Sequence, residues 1–253
     1  MHCTKSMGWT ADSVKSKLGM IARGHIIRGV GDPLVWMDRV RIAVQKLKRE
    51  QGAPEKKLPA GKKEIEAAKE IGRRELSPKD QVVLEAALNT GFSYMLRAGE
   101  FLFRDGRGWD KAKVVRGGDV EVKGGDGKRT ATLHWRSSKT DQLASGNAMT
   151  HGEVPGHELC PVTALARLQA TFRERAPGGQ EQGLPLFRWA NGEPVKRSYI
   201  RELLGQAALK LGLPRKRLAV HSLRVGGATA LWVGTQGNAT LVRRLGRWAS
   251  DAV

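Results

Sequence analysis

The feature that most constrains the fold is a polar, basic stretch broken by glycine and proline, "QGAPEKKLPAGKK", at residues 51–63. This composition is typical of a linker. Only two helices, at residues 12–29 and 33–50, are predicted before it, and two helices are too few to bury a core. We therefore expect a fragment of a helical domain at residues 1–50 and one large domain at residues 64–253.

The pattern of apolar residues predicts that the large domain is α+β, mostly helical with a small antiparallel sheet. Strands are predicted at residues 113–122 and 130–136, joined by the turn "GGDGK" at residues 124–128, with a third strand near residues 147–154. Helices are predicted at residues 64–74, 78–96, 161–174, 195–211, 222–233 and 239–247.

The charge of the chain indicates a polyanionic partner. Forty-four Lys and Arg residues against 25 Asp and Glu give a formal net charge of +19, and self-repulsion of this size opposes compaction. Residues 1–58 hold 12 basic and 5 acidic residues, and residues 181–253 hold 12 and 4. Basic residues in both end regions favour a nucleic acid gripped by two lobes, but charge alone does not distinguish DNA from RNA.

The sequence also argues against several other classes. No apolar run is long enough to span a membrane, and the N-terminal residues contain no apolar stretch typical of a secretory signal. The two cysteines, Cys3 and Cys160, are too few for a disulfide framework and fit an intracellular setting. His151, His157 and Cys160 match no familiar zinc spacing, so we predict no metal and no cofactor.

Four short segments stand out as candidates for a functional site. Taken singly, each has an ordinary explanation, such as an arginine that caps helix carbonyls, a solvated lysine or a hydrogen-bonded histidine. The segments are "LRAGEF" (96–101) with Arg97, "SSKTDQ" (137–142) with Lys139, "HSLRVGGATAL" (221–231) with His221 and Arg224, and "LGRW" (245–248) with Trp248.

In this order the four segments resemble the catalytic domain of the tyrosine recombinases, the phage-integrase family. "TGFSYMLRAGEFLFR" at residues 90–104 resembles the family's first-arginine segment, with Glu100 in its acidic position, and "LCPVTALARL" at residues 159–168 resembles a later helix. The resemblance implies a DNA breaking-rejoining domain preceded by part of a helical core-binding domain that clamps DNA.

The resemblance also implies partners and a cellular setting. It implies duplex DNA as the partner, a tetramer on DNA in the full-length form, and neither a membrane nor a small-molecule substrate. It further implies a DNA-associated location in a nucleus or nucleoid, and it makes a mobile genetic element one of the expected sources.

The family's reaction explains the residue types. A tyrosine hydroxyl attacks a DNA phosphodiester, forming a 3′-phosphotyrosine and releasing a 5′-hydroxyl. By resemblance, Arg97 and Arg224 hold the phosphate oxygens with planar, forked donors. Lys139 is implied as general acid and His221 as general base or proton shuttle. Trp248 is implied to donate its indole N–H to the phosphate or to the nucleophile.

The attacking tyrosine is missing from the expected place. Five residues follow Trp248 and none is tyrosine, while Tyr94 and Tyr199 lie in other predicted helices. We expect a truncated recombinase sequence that holds DNA without cutting it. The alternatives are a non-catalytic DNA-binding relic of the same fold, a tyrosine supplied by a partner, and, outside the family, a basic RNA-binding protein.

Overall fold

A computed structural model describes residues 8–53, 55–106, 108–136 and 147–248. The chain divides into two compact units, Met1–Lys56 and Lys57–Val253. Among the described residues, none of the helices combines the length and the apolar character that a membrane-spanning helix requires.

The first unit is a pair of helices, α1 (Ala11–Ile27) and α2 (Asp38–Gln51), that pack against each other. The Gln51 side chain ties the end of α2 to the start of α1, since its Oε1 accepts a hydrogen bond from the Ala11 N–H at 2.8 Å. The predicted start of the second helix at residue 33 was wrong. Asp32 Oδ1 accepts a hydrogen bond from the Leu34 N–H at 2.8 Å, and this local turn replaces the first helical turn.

The second unit is mostly helical. Helix α3 packs against α7, and α4 lies against both α6 and α8. The helices are α3 (Lys62–Glu75), α4 (Pro78–Ser93), the one-turn α5 (Ala98–Phe101), α6 (Pro161–Thr171), α7 (Arg197–Lys210), α8 (Val220–Gly234) and α9 (Ala239–Gly246).

The sheet has three antiparallel strands in sequence order, β1 (Val120–Lys123), β2 (Thr130–Trp135) and β3 (Asn147–Gly152). In the register, Val120 pairs with Leu133, which pairs in turn with Met149. All three of these side chains are buried, so this face of the sheet joins the helical core. The predicted α+β class, mostly helical with a small antiparallel sheet, is therefore confirmed.

The first strand is shorter than the sequence predicted. Residues before Val120 form turns and a short 3₁₀ helix, Gly117–Asp119. Asp119 Oδ2 accepts a hydrogen bond from the Arg116 N–H at 2.8 Å, and a Cβ added to Gly117 would lie 1.7 Å from the Arg175 carbonyl oxygen. This close approach comes from a distant part of the chain, so the alternating pattern of the sequence did not reveal it.

Two adjacent glycines bring α8 against its neighbours. A Cβ on Gly226 would lie 1.9 Å from the carbonyl oxygen of Ala60, and one on Gly227 would lie 2.1 Å from that of Phe92. The Ala60 N–H also donates to the Ser222 carbonyl at 2.9 Å. The first turns of α8 are thereby held beside the C-terminal end of α4, where the segment that carries Arg97 begins.

Candidate phosphate-binding site

The structure brings together three of the five site residues predicted from the sequence. Arg97 lies just before α5, Arg224 in the first turns of α8, and Trp248 just after α9. His221 lies one turn before Arg224 on the same helix. Lys139 lies outside the described residues.

The C-terminal end of α9 holds both arginines. Arg97 Nη2 donates to the Arg247 carbonyl oxygen at 3.0 Å, and Arg224 Nη2 donates to the Gly246 carbonyl oxygen. The last carbonyls of a helix have no partner within the helix and carry partial negative charge, so they suit guanidinium donors. Arg97 and Arg224 lie 127 positions apart in the sequence, yet both are hydrogen-bonded to the same helix end.

A buried carboxylate completes the arrangement. The Glu100 side chain is 4% exposed, and its Oε1 accepts from Arg97 Nη1 at 3.1 Å. Its Oε2 accepts from the Arg97 backbone N–H at 2.8 Å and from Arg247 Nη2 at 2.9 Å. One carboxylate thus fixes two guanidiniums, and the cluster of three arginines keeps a surplus of positive charge.

Arg224 is the more enclosed of the two predicted phosphate ligands. It is 2% exposed, its Nη1 donates to the Met95 carbonyl, and its guanidinium lies 4.3 Å from the centre of the Trp248 ring. Burial, and then the positive charges of Arg97 and Arg247, lower the pKa of Arg224 to about 10, so it stays protonated at neutral pH. The Trp248 ring therefore lies directly against this guanidinium.

Arg97 is the more accessible guanidinium. Its side chain is 25% exposed, while two of its terminal nitrogens are held by Glu100 and by the Arg247 carbonyl. A guanidinium has five N–H donors, so donors remain for an incoming oxyanion. Arg97 is therefore the point at which the cluster meets solvent.

His221 presents a neutral imidazole beside these charges. The residue is exposed, yet part of its ring is withdrawn from water. This desolvation, followed by the positive charges of Arg224 and Arg197, holds the pKa of His221 below its ordinary value of 6.5. At pH 7 the ring is therefore able to take up a proton, the property that a general base or proton shuttle needs.

Arg247 was missed by the sequence analysis. It has left-handed backbone geometry (φ 57°), is buried, and stacks on Trp135 with 4.1 Å between the guanidinium carbon and the ring centre. Its Nη2 also approaches the Met95 carbonyl oxygen at 3.3 Å. In the sequence it is one more arginine of a basic helix end, and no spacing rule marks it as buried.

Neither tyrosine of the chain belongs to the cluster. Tyr94 is fully buried, donates to the Ala131 carbonyl at 2.7 Å, and has a pKa raised well above 10, first by burial and then by Cys160. Tyr199 packs edge-on against Trp189, with 5.2 Å between ring centres, and burial raises its pKa to about 12. Both hydroxyls are poor nucleophiles in these settings.

The histidine on strand β3 has contacts of its own. His151 Nε2 lies 3.2 Å from the Ser93 carbonyl oxygen, and the ring packs edge-on against Tyr94 at 4.6 Å. Across residues 8–53, 55–106, 108–136 and 147–248, no group of three or more His, Cys, Asp or Glu side chains is arranged to hold a metal ion.

Comparison with known proteins shows which solved structures share this fold. No family model and no curated protein matches the sequence. Among solved structures, the XerH site-specific recombinase bound to difH substrate in a pre-cleavage complex is 21% identical over 77% of this chain and 49% of its own, with a TM-score of 0.50. A lambda integrase dimer bound to a COC′ core site is 15% identical over 96% of this chain and 63% of its own (TM-score 0.52).

A third structure gives the same result. A lambda integrase tetramer bound to a Holliday junction is 16% identical, with a TM-score of 0.51, over 96% of this chain and 65% of that one. The chain thus spans about half the length of XerH. These similarities show that the chain has the α+β fold of the integrase catalytic domain, as the sequence predicted.

Proposed function

We propose that the chain is a tyrosine recombinase sequence that binds duplex DNA and belongs to a system of site-specific recombination or integration. The observation that carries the proposal is the convergence of Arg97, Arg224 and Trp248 on one helix end, with His221 one turn away. These residues come from three separate segments of a chain with this fold, and the net charge of +19 supports a polyanionic partner.

The chemistry of the cluster suits a phosphodiester. Guanidiniums bind phosphate oxygens through paired, charge-assisted hydrogen bonds. In a site that excludes water, such preorganised positive charge stabilises the negative charge that develops on those oxygens during phosphoryl transfer. The neutral imidazole of His221 would move a proton at the same phosphate, and Lys139 would supply the general acid to the leaving oxygen.

The proposed partner and assembly follow from the structural neighbours. XerH is bound to difH substrate, lambda integrase is bound to DNA, and the latter forms a dimer on a core site and a tetramer on a Holliday junction. By this analogy, we propose duplex DNA as the partner, a tetramer on DNA for the full-length protein, and a location on the nucleoid or in the nucleus.

This chain is proposed to hold DNA without cleaving it. Cleavage needs an activated hydroxyl beside the arginines, and Tyr94 and Tyr199 are both held elsewhere with raised pKa values. The unit Met1–Lys56 is proposed to be part of the DNA-clamping domain that precedes the catalytic domain. Its two basic helices, α1 and α2, would make DNA contacts of their own.

A binding experiment tests the proposal. Fluorescence anisotropy with a labelled DNA duplex and a duplex RNA of the same sequence should give tighter binding to DNA. Arg97→Ala should weaken DNA binding by about tenfold, because it removes charge-assisted hydrogen bonds to a phosphate. The matched control Arg74→Ala removes the same charge from an exposed arginine that pairs with Glu70, and it should change affinity much less. Equal affinity for both nucleic acids, or equal effects of the two variants, would contradict the proposal.

A further inference from the structure

We infer that Arg247 is a positioning residue that locks the C-terminal end of α9 onto the segment carrying Arg97 and so sets the geometry of both phosphate-binding arginines. The inference rests on the proposed function. The Arg247 carbonyl oxygen accepts a hydrogen bond from Arg97. The Arg247 side chain contacts Glu100, which also binds Arg97. It also contacts the Met95 carbonyl oxygen, which binds Arg224 as well.

The contacts form a closed ring. Arg247 Nη2 donates to Glu100 Oε2 at 2.9 Å, Glu100 Oε1 accepts from Arg97 Nη1 at 3.1 Å, and Arg97 Nη2 returns to the Arg247 carbonyl at 3.0 Å. Each member of the ring fixes the next. Removal of the Arg247 side chain leaves the Glu100 carboxylate with one guanidinium and frees the end of α9 to shift.

A second chain of contacts reaches Arg224. The Met95 carbonyl oxygen accepts from Arg224 Nη1 and lies 3.3 Å from Arg247 Nη2. Met95 has left-handed backbone geometry (φ 49°), an unusual state for a non-glycine residue. Both arginines therefore hold the same strained turn, and Arg247 helps to keep this carbonyl where Arg224 needs it.

The backbone of Arg247 also positions Trp248. Arg247 is the left-handed C-cap of α9, and its own turn directs the chain into Trp248, whose ring stacks on Arg224 at 4.3 Å. Gly246 makes room for this fold-back, because a Cβ added there would lie 1.4 Å from an atom of the Trp248 ring. The side-chain contacts of Arg247 to Glu100 and Trp135 anchor this turn.

Side-chain NMR of arginine-labelled protein tests the inference directly. The guanidinium signals of Arg97 and Arg224, assigned from Arg97→Lys and Arg224→Lys variants, should be resolved in the wild type because both groups are held in place. In Arg247→Met, both sets of signals should broaden or average. The control Arg244→Met, which removes an exposed arginine three residues earlier, should leave them unchanged. Unchanged Arg97 and Arg224 signals in Arg247→Met would overturn the inference.

Two further arms keep the result decisive. If Arg247→Met does not fold, Arg247→Lys takes its place: the lysine retains the charge beside Glu100 but lacks the planar fork, and it should still broaden both signals. Affinity for a DNA duplex gives the functional readout, with Arg247→Met expected to weaken binding about tenfold in the wild type and much less in an Arg97→Ala background. If instead Arg97→Ala leaves DNA affinity unchanged, the proposed function fails, while the NMR signals still decide the role of Arg247.

Discussion

At the scale of single residues, the cluster solves an electrostatic problem. Three arginines repel one another, and burial of a charge without partners is costly. Here Glu100 and the carbonyl oxygens of Met95 and Gly246 supply the compensating acceptors. The positive charge that the proposed phosphate contact requires is thus already assembled in the unliganded protein.

The Glu100 carboxylate should dominate the stability of this arrangement. Glu100→Gln removes the negative charge between Arg97 and Arg247, so the free energy of unfolding should fall by about 3 kcal/mol, as for other broken buried ion pairs. Urea denaturation measures the change. Glu85→Gln, at the more exposed pair with Arg167, should cost less than about 1 kcal/mol. Similar small losses in both variants would show that Glu100 does not hold the cluster.

His221 should make DNA binding depend on pH. Desolvation, followed by the charges of Arg224 and Arg197, holds its pKa below the ordinary value of 6.5, so the ring gains a proton only in acidic solution, and a bound polyanion favours that protonated form. Duplex affinity should therefore rise as the pH falls below neutrality. In His221→Gln this rise should be absent. A pH response that persists unchanged in the variant would assign it to another group.

At the scale of elements, contacts between distant segments determine the role of residues that the local sequence pattern does not explain. In the sequence, Gly226 and Gly227 lie in the same segment as His221 and Arg224. The structure assigns them packing: they let α8 touch the backbone at Ala60 and Phe92. The proposed function depends on this contact, because α8 carries His221 and Arg224.

Substitution of one of these glycines should be costly. Gly226→Ala should lower the free energy of unfolding by about 2–3 kcal/mol, since the new methyl group collides with the Ala60 carbonyl. Gly234→Ala, at the end of the same helix with nothing within 4 Å of the added Cβ, should be neutral or stabilise by about 0.5–1 kcal/mol. Thermal or urea unfolding compares the two, and equal effects would rule out the proposed close contact.

The contacts between the sheet and α6 should contribute less stability at low pH. Hydrogen bonds from Arg129 lower the pKa of Glu153 to about 2, with a further hydrogen bond from Thr163. A depressed pKa in the folded state adds stability above the unfolded value of about 4.3, and this stability is lost as the pH falls toward 2. In Glu153→Gln the free energy of unfolding should depend less on pH over this acidic range. The same pH dependence in the variant and the wild type would contradict the assignment.

Prediction from sequence succeeded where local pattern controls the outcome. The helices α6, α7 and α8 lie within three residues of their predicted bounds, because apolar spacing and Pro161 specify them locally. The first strand failed, because Gly117 meets Arg175 from a distant segment. Arg247 was invisible for the same reason: its partners lie about 150 residues earlier in the chain.

At the scale of the whole molecule, charge and fold both support the proposed DNA partner. The basic excess extends over both compact units, Met1–Lys56 and Lys57–Val253, and the chain shares its fold with lambda integrase, which was solved bound to DNA. Binding that rests on phosphate contacts releases counterions, so the affinity should fall steeply with salt.

Cleavage gives a separate expectation for the chain as a whole. Incubation with a nicked duplex, whose short cleaved fragment would diffuse away, should leave no covalent protein–DNA adduct on a denaturing gel, because Tyr94 and Tyr199 lie in other contacts. An adduct that disappears in Tyr199→Phe would contradict this expectation and would identify Tyr199 as a nucleophile.

The central claim is that the arginine cluster binds a DNA phosphate, and the salt dependence of duplex affinity tests it most directly. A plot of log affinity against log salt concentration should be less steep for Arg97→Ala than for the wild type by about 0.9, the value for one lost phosphate contact. Arg97→Lys should restore most of the slope, and the control Arg74→Ala should keep the wild-type slope. Identical slopes for Arg97→Ala and the wild type would contradict the claim.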